Sequence, residues 1–342
     1  MKKIVKAGNV EIGGGTISVQ SMTNTDTGDY DATLSQIRAL HAAGCDIVRV
    51  AVSSEAEAAV FGRLVQAAGV PLVADIQFDY RLAILTSDLG AAKVRFNPGN
   101  IGSETRIAEL VAACRANGTP IRIGVNAGSL EKDLLEKYGP TAEALAASAL
   151  RHTRLLEKHG FYDIVLSAKA SSVKTTIAAY RLLAGRTDYP LHVGVTEAGA
   201  YESGLVKSAI GIGALLADGI GDTIRVSLSG DPLREAAAGH EILRALGLEA
   251  HCEIISCPTC SRCKYDLMSV VDEVRALTRD VRKPLKIAVM GCVVNGPGEA
   301  RDADFGIAGG GDKAVVFVRG ERVKTVPFAR VKDELKKLIE AY

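Results

Sequence analysis

The chain has almost no net charge. Its 41 lysines and arginines offset 40 aspartates and glutamates, leaving +1, so no overall field draws it to nucleic acid or to an anionic membrane. Any basic site has to be local. Nowhere do about 18 uncharged apolar residues stand together, which argues against a membrane-spanning helix, and the opening MKKIVKAGNVEIGGG has no apolar run of signal-peptide length. The expected location is the cytoplasm. Cysteine is scarce, seven in 342 residues, and cytoplasmic thiols stay reduced, so clustered cysteines point to metal ligation or redox chemistry and not to disulfides. No GxGxxG follows the first β-rich run, which counts against a dinucleotide-binding sheet. The GIGAL at 211–215 lies inside a helical stretch and reads as packing.

What is present is a rhythm. Short β-rich runs alternate with amphipathic helical stretches eight times: ISVQS (17–21), DIVRVAV (46–52), PLVADIQ (71–77), AKVRFNP (92–98), IRIGVN (121–126), DIVLSAKA (163–170), LHVGVTE (191–197) and TIRVSLS (223–229). Between them the period is helical, as in Ile107, Leu110, Val111 and Cys114, or Leu34, Ile37 and Leu40 before Gly44. Eight such units in series predict an α/β fold, a (β/α)8 TIM barrel spanning 1–248. Past LGLEAHCEI the rhythm breaks. A helix with Leu267, Val270, Val271, Val274 and Leu277, a strand KIAVMG, β-like KAVVFVRG and ERVKTV, and a helix from Pro327 to Tyr342 predict a smaller α/β domain over 249–342.

The barrel strands are unusual in being half polar. Strands of a parallel barrel normally read as near-continuous apolar runs, yet in TIRVSLS the set Ile224, Val226 and Leu228 alternates with Arg225, Ser227 and Ser229. The same split isolates Arg122 and Asn126, Arg95 and Asn97, Arg49, Asp75 and Gln77, and Lys169 with Ser167. If the apolar set faces the helices, Arg49, Arg95, Arg122, Lys169 and Arg225 converge inside one barrel. Burying five cations unpartnered costs several kcal/mol each, and only Asp75 and Glu197 lie near enough in pattern to compensate. A polyanion would supply the missing charge, and arginine's planar fork suits phosphate oxygens.

The cysteines concentrate in SCPTCSRC (256–263), with one more, Cys292, in MGCVVNGPGE. A lone CxxC is shared by zinc, thioredoxin-like and iron–sulfur sites. Zinc ribbons normally repeat the pair, whereas CxxCxxC with one distant cysteine is the pattern of iron–sulfur ligation. By spacing, Cys257, Cys260, Cys263 and Cys292 would all be ligands. Cys45, Cys114 and Cys252 read as structural residues without a metal or redox role.

Long stretches in order, VQSMTNTDT (19–27), LVADIQFDYRLA (72–83), NPGNIG (97–102), RIGVNAGSLEKDLLEKYG (122–139), GVTEAG (194–199), GIGDTIRVSLSGDP (219–232), CPTCSR (257–262) and GCVVNGPGE (291–299), resemble the bacterial 4-hydroxy-3-methylbut-2-enyl diphosphate synthase family nearly end to end. The resemblance implies a barrel followed by a [4Fe–4S] domain, without the large insertion of plant-type members. It implies reductive ring opening and dehydroxylation of 2-C-methyl-D-erythritol 2,4-cyclodiphosphate in the non-mevalonate isoprenoid pathway, with ferredoxin or flavodoxin as donor and a homodimer as the working unit. Carried over residue by residue, the cluster ligands would be Cys257, Cys260, Cys292 and Glu299, leaving Cys263 a bystander. Substrate would be held by Arg49, Arg95, Arg122, Asn126, Lys169, Arg225 and Ser227, with Glu197 and Asp75 as candidate catalytic groups. Relatives carry a histidine where this chain has Gln77, which cannot transfer a proton. Two other readings stand beside this one: a pterin-binding barrel, and a zinc-stabilised protein that binds a phosphorylated metabolite without turnover.

Overall fold

The computed structural model describes residues 2–96, 103–279, 281, 283–293, 298 and 300–342. They fall into two compact units, Met1–Leu246 and Gly247–Tyr342.

The first unit opens with a hairpin of three-residue strands, β1 (Val5–Ala7) and β2 (Val10–Ile12). Eight parallel strands follow: β3 (Ser18–Met22), β4 (Ile47–Ala51), β5 (Leu72–Asp75), β6 (Lys93–Phe96), β7 (Ile121–Asn126), β8 (Ile164–Lys169), β9 (His192–Val193) and β10 (Thr223–Ile224). The sheet order is β8-β7-β6-β5-β4-β3-β10-β9, and a parallel bridge between Leu166 and Leu191 joins β8 to β9, closing the barrel. Each run in the predicted rhythm supplies one strand. The helices start on side-chain caps placed just past the strands: Asp29, Ser54, Asp79, Ser103, Ser172 and Asp231 each accept a backbone N–H of the first turn. The helix Tyr30–Ala42 buries Leu34, Ile37 and Leu40 and ends before Gly44, whose φ of 98° requires glycine. Gly211 of GIGAL is a packing residue, since a Cβ there would meet Val195 Cγ2 at 2.5 Å.

β9 and β10 are shorter than their sequence runs. Backbone pairing nonetheless continues one step, from Arg225 N to Val193 O at 3.0 Å. The apolar strand faces (Val48, Val50, Ala74, Val94, Ile121, Ile123, Leu166, Ile224) join the helices in one core, which leaves the alternate positions to the lumen. The hairpin, absent from the sequence expectations, packs Val5, Ala7 and Ile12 against the lumen-facing Ile47, Val73 and Val165. It seals one end with apolar contacts, each large side chain contributing about 1.5–3 kcal/mol.

The second unit is a mixed sheet of β11 (Cys252–Ser256), β12 (Leu285–Met290), β13 (Phe305–Gly309), β14 (Lys313–Val318) and β15 (Glu321–Pro327), in that order. The first three are parallel and the last three antiparallel. Leu267, Val270, Val271 and Val274 of the helix Leu267–Thr278 pack on its apolar face. Leu277, expected on that stripe, is 36% exposed, because it follows Val274 at the stripe's rim. The closing helix runs Val331–Ala341 after a 3-10 turn at Phe328–Arg330.

Candidate active site

Alternation along the barrel strands brings the five expected cations into one lumen. Asp75 on β5, 4% exposed, accepts Arg95 Nη1 at 3.0 Å and lies 3.7 Å from Arg49 Nε. Burial alone would raise its pKa, but Arg49, Arg95 and Arg122 outweigh burial and hold the carboxyl below its usual value. Asp75 is therefore an anionic brace between two arginines. Arg49 also donates to Met22 Sδ at 2.8 Å; burial draws its pKa down to about 10 despite Asp75.

Arg122, 2% exposed, donates Nη1 to Ser167 Oγ at 2.8 Å and leaves Nε and Nη2 without partners among the described residues. Donors left unpaired in a buried pocket are costly unless a ligand meets them. Lys169 is buried as well, and burial with Arg122, Arg225 and Arg49 pulls its ammonium well below its ordinary pKa. Two lumen glycines make room for these heads: a Cβ on Gly124 would stand 2.7 Å from Arg95 Nε, and one on Gly194 would stand 2.8 Å from Lys169 Nζ and 2.3 Å from the Arg225 carbonyl.

Arg225 meets a carboxylate that the sequence reading did not anticipate. Glu235, on the helix Pro232–Ala245 and 4% exposed, lies 3.3 Å from Arg225 and accepts Ser21 Oγ at 2.8 Å and Leu228 N at 3.0 Å. Its signal was faint, an acidic residue three positions into a helix that caps the last strand. Lys93, His192 and Gln20 are also buried lumen residues that the strand alternation did not single out. Lys93 could have been found from its spacing, two residues before Arg95 on the same face.

Glu197 lies past the end of β9 and is exposed. Its φ of 51° is one of two positive values among non-glycine residues described, a conformation costing about 1–3 kcal/mol. Among the described residues no hydrogen bond or ion pair holds its carboxylate. Asn126 and Ser227 are partly exposed lumen-side residues, and Gln77 is exposed just past β5. The NPGNIG stretch, with Asn97, lies outside the described residues.

In the second unit the thiols gather at the ends of two adjacent parallel strands. Cys257 follows β11 and Cys292 follows β12, with Ser256 paired to Val289. Gly291 N donates to Cys257 Sγ at 3.0 Å, and a Cβ on Gly291 would meet Cys263 Sγ at 2.9 Å and Cys257 Sγ at 3.3 Å. Glycine keeps two sulfurs against bare backbone. The Tyr265 hydroxyl donates to Met290 O at 2.8 Å; burial, then Cys263, Cys257 and Cys292, push that phenol's pKa up. Cys260 is exposed, its thiol pulled down by the Arg262 backbone N–H and side chain. Among the described residues no three of these side chains converge as a closed metal site, and Glu299 lies outside the described residues. Cys45 and Cys114 are buried, with pKa values raised to about 12 chiefly by burial.

The fold resembles solved barrels. Dihydropteroate synthase from Yersinia pestis superposes with a TM-score of 0.50 at 13% identity, over 72% of this chain and 100% of that one. Phospho-2-dehydro-3-deoxyheptonate aldolase from Thermotoga maritima gives 0.50 and 13%, over 72% and 73%. At such identity the likeness is one of architecture alone, so the pterin-binding alternative has only the shared barrel behind it. Fold and site together define a (β/α)8-barrel protein with a cation-rich lumen and a cysteine-bearing α/β unit. Family models narrow this class: the GcpE TIM-barrel domain matches residues 2–240 and the GcpE C-terminal domain matches 253–341. The chain belongs to the GcpE family. Curated relatives include the 4-hydroxy-3-methylbut-2-en-1-yl diphosphate synthase (flavodoxin) of Caldanaerobacter subterraneus, 57% identical over 98% of this chain and 96% of the relative. The enzyme of that name from Geobacter sulfurreducens is 55% identical over 97% and 95%. Among the described residues no helix is long and apolar enough to cross a membrane.

Proposed function

We propose that this chain is a 4-hydroxy-3-methylbut-2-en-1-yl diphosphate synthase, opening 2-C-methyl-D-erythritol 2,4-cyclodiphosphate reductively in isoprenoid biosynthesis, with flavodoxin or ferredoxin as electron donor. The observation that carries it is the lumen: among the described residues, the five cations share only Asp75 and Glu235 as buried anionic partners. A cyclic diphosphate supplies the charge and acceptor atoms that Arg122 and Lys169 lack.

Arg122, Lys169 and Arg225 would grip phosphate oxygens, with Asn126 and Ser227 as neutral donors nearer the mouth. Asp75 holds Arg49 and Arg95 in fixed orientation, so the ligand meets a set of forks already arranged. As the ring opens, the departing diphosphate gains charge, and fixed cations stabilise it without reorganising. Glu197, unpaired at the mouth, would protonate the leaving hydroxyl so that it departs as water.

Cys257, Cys260 and Cys292 with Glu299 would hold a [4Fe–4S] cluster. The donors fit: soft thiolates suit iron–sulfur ligation, and the bare backbone at Gly291 leaves space beside the sulfurs. A cluster there supplies electrons one at a time for the reduction. The homodimer carried by the resemblance belongs to this proposal, and mixing a Cys257→Ser chain with an Arg122→Ala chain under exchanging conditions would restore part of the activity if it holds. The function is tested on anaerobically purified protein. Brown colour that bleaches on reduction, together with calorimetric binding of the cyclodiphosphate, is expected. A colourless zinc protein that ignores the cyclodiphosphate contradicts it.

A further inference from the structure

Lys93 is fully buried and its Nζ meets no hydrogen-bond partner among the described residues. Lying on β6 two residues before Arg95, it points into the lumen at the level of Val73, its ladder partner on β5, close above the apolar hairpin seal. Groups from every side of the barrel face it. β3 presents the Gln20 amide, buried and unpaired; β4 presents Arg49; β5 presents Val73 and then Asp75; β7 presents Arg122. β8 presents Val165, Ser167 and Lys169, and β9 presents His192, whose two ring nitrogens are both unpaired. Past β10 comes Arg225, and the β1–β2 hairpin offers only Val5, Ala7 and Ile12.

Among the described residues both buried carboxylates of the lumen are already engaged, Asp75 by Arg49 and Arg95 and Glu235 by Arg225 and Ser21. No anion is left for a sixth cation. Arginine does not shed its proton in proteins, whereas a buried lysine readily does. Burial, then Arg122 and Arg49, draw Lys93 well below its usual pKa, and burial with the surrounding cations likewise keeps His192 neutral.

We propose that Lys93 stands neutral beneath the arginines of the ligand-free barrel and takes up a proton when a diphosphate enters, completing the anion site from below. The inference rests on reading the lumen as the diphosphate site. In the step one N–H bond forms at Nζ and the proton leaves a buffer acid; no electrons move. The polyanion therefore brings in part of the charge that binds it, and the free fold avoids a further unpaired cation.

Two measurements test this. Calorimetric titration of the cyclodiphosphate, and separately of inorganic diphosphate, into the holoenzyme is run in two buffers of different ionisation enthalpy. Wild type should take up about one proton more per ligand than K93M, a variant of similar length but apolar that should also bind about tenfold or more weakly. The same uptake in K93M as in wild type overturns the proposal. If inorganic diphosphate draws the Lys93-dependent proton while the cyclodiphosphate does not bind, the lysine assignment stands and the substrate assignment falls. The second measurement needs no ligand. The unfolded chain holds the lysine proton and the folded chain does not, so wild-type stability should gain on K93M as pH rises from 7 to 10, by about tenfold in the unfolding constant per pH unit. A gap independent of pH shows Lys93 charged in the fold and refutes the proposal.

Discussion

Glu235→Gln probes the balance of charge in the lumen through a residue that touches no proposed ligand. The carboxylate is 4% exposed and serves three donors at once, Ser21 Oγ at 2.8 Å, Leu228 N at 3.0 Å and Arg225 at 3.3 Å. The amide keeps the shape but loses the charge, and its NH2 has to face a donor. Removing one partner of a buried ion pair costs about 3–5 kcal/mol. The Arg225 side chain is 17% exposed, so water relieves part of that, and about 2–3 kcal/mol is the working figure. At roughly 2–4 °C per kcal/mol for a domain of this size, the barrel should lose about 4–12 °C in Tm. A double-mutant cycle with Arg225→Gln, read by chemical denaturation, should give a coupling of about 1.5–3 kcal/mol. Because the substitution leaves the lumen one charge more positive, inorganic diphosphate should restore stability, by about 2.7 kcal/mol at a hundredfold excess over Kd. Glu235→Gln within about 0.5 kcal/mol of wild type, or a coupling near zero, would refute the account of Arg225 as a cation balanced by Glu235.

Other outcomes follow from the same geometry. Arg122→Ala should weaken cyclodiphosphate binding by about 1.5–3 kcal/mol while leaving the visible spectrum unchanged; unchanged affinity would show that its free donors face something else. Glu197→Gln should keep diphosphate binding and lose most turnover, and near-normal turnover would remove Glu197 from the chemistry. Serine at Cys257, Cys260 or Cys292 should abolish cluster assembly, whereas Cys263→Ser should keep a full cluster. A colourless Cys263→Ser beside an intact, active Glu299→Ala would reverse the ligand assignment in favour of four thiolates.

The eight-unit rhythm was legible because each strand hides one apolar face under helices while each helix repeats at its own period, and the polar alternation of TIRVSLS and IRIGVN placed the arginines in the lumen. Shorter elements were not. β1 and β2 are three residues each, too brief for alternation to register, and β13 (FGIAG) sets glycine at 306 and 309 because Phe317 and Tyr265 pack where side chains would stand there. Glu235 escaped notice because it reaches the lumen from a helix, against the rule that strands line a barrel. Lys93 was passed over beside the more conspicuous Arg95. Tyr265 shows a third limit: its partner carbonyl lies 25 residues downstream, and only the folded sheet brings the two together.

The central claim is that the cationic lumen and the thiol-bearing unit together reduce a cyclic diphosphate. It is tested most directly by incubating the anaerobically purified protein with 2-C-methyl-D-erythritol 2,4-cyclodiphosphate and reduced flavodoxin, following substrate and product by mass spectrometry. The account predicts loss of the cyclodiphosphate, appearance of 4-hydroxy-3-methylbut-2-enyl diphosphate, and oxidation of two electrons' worth of donor per product. Unaltered cyclodiphosphate in the presence of a fully assembled, reducible cluster would contradict it.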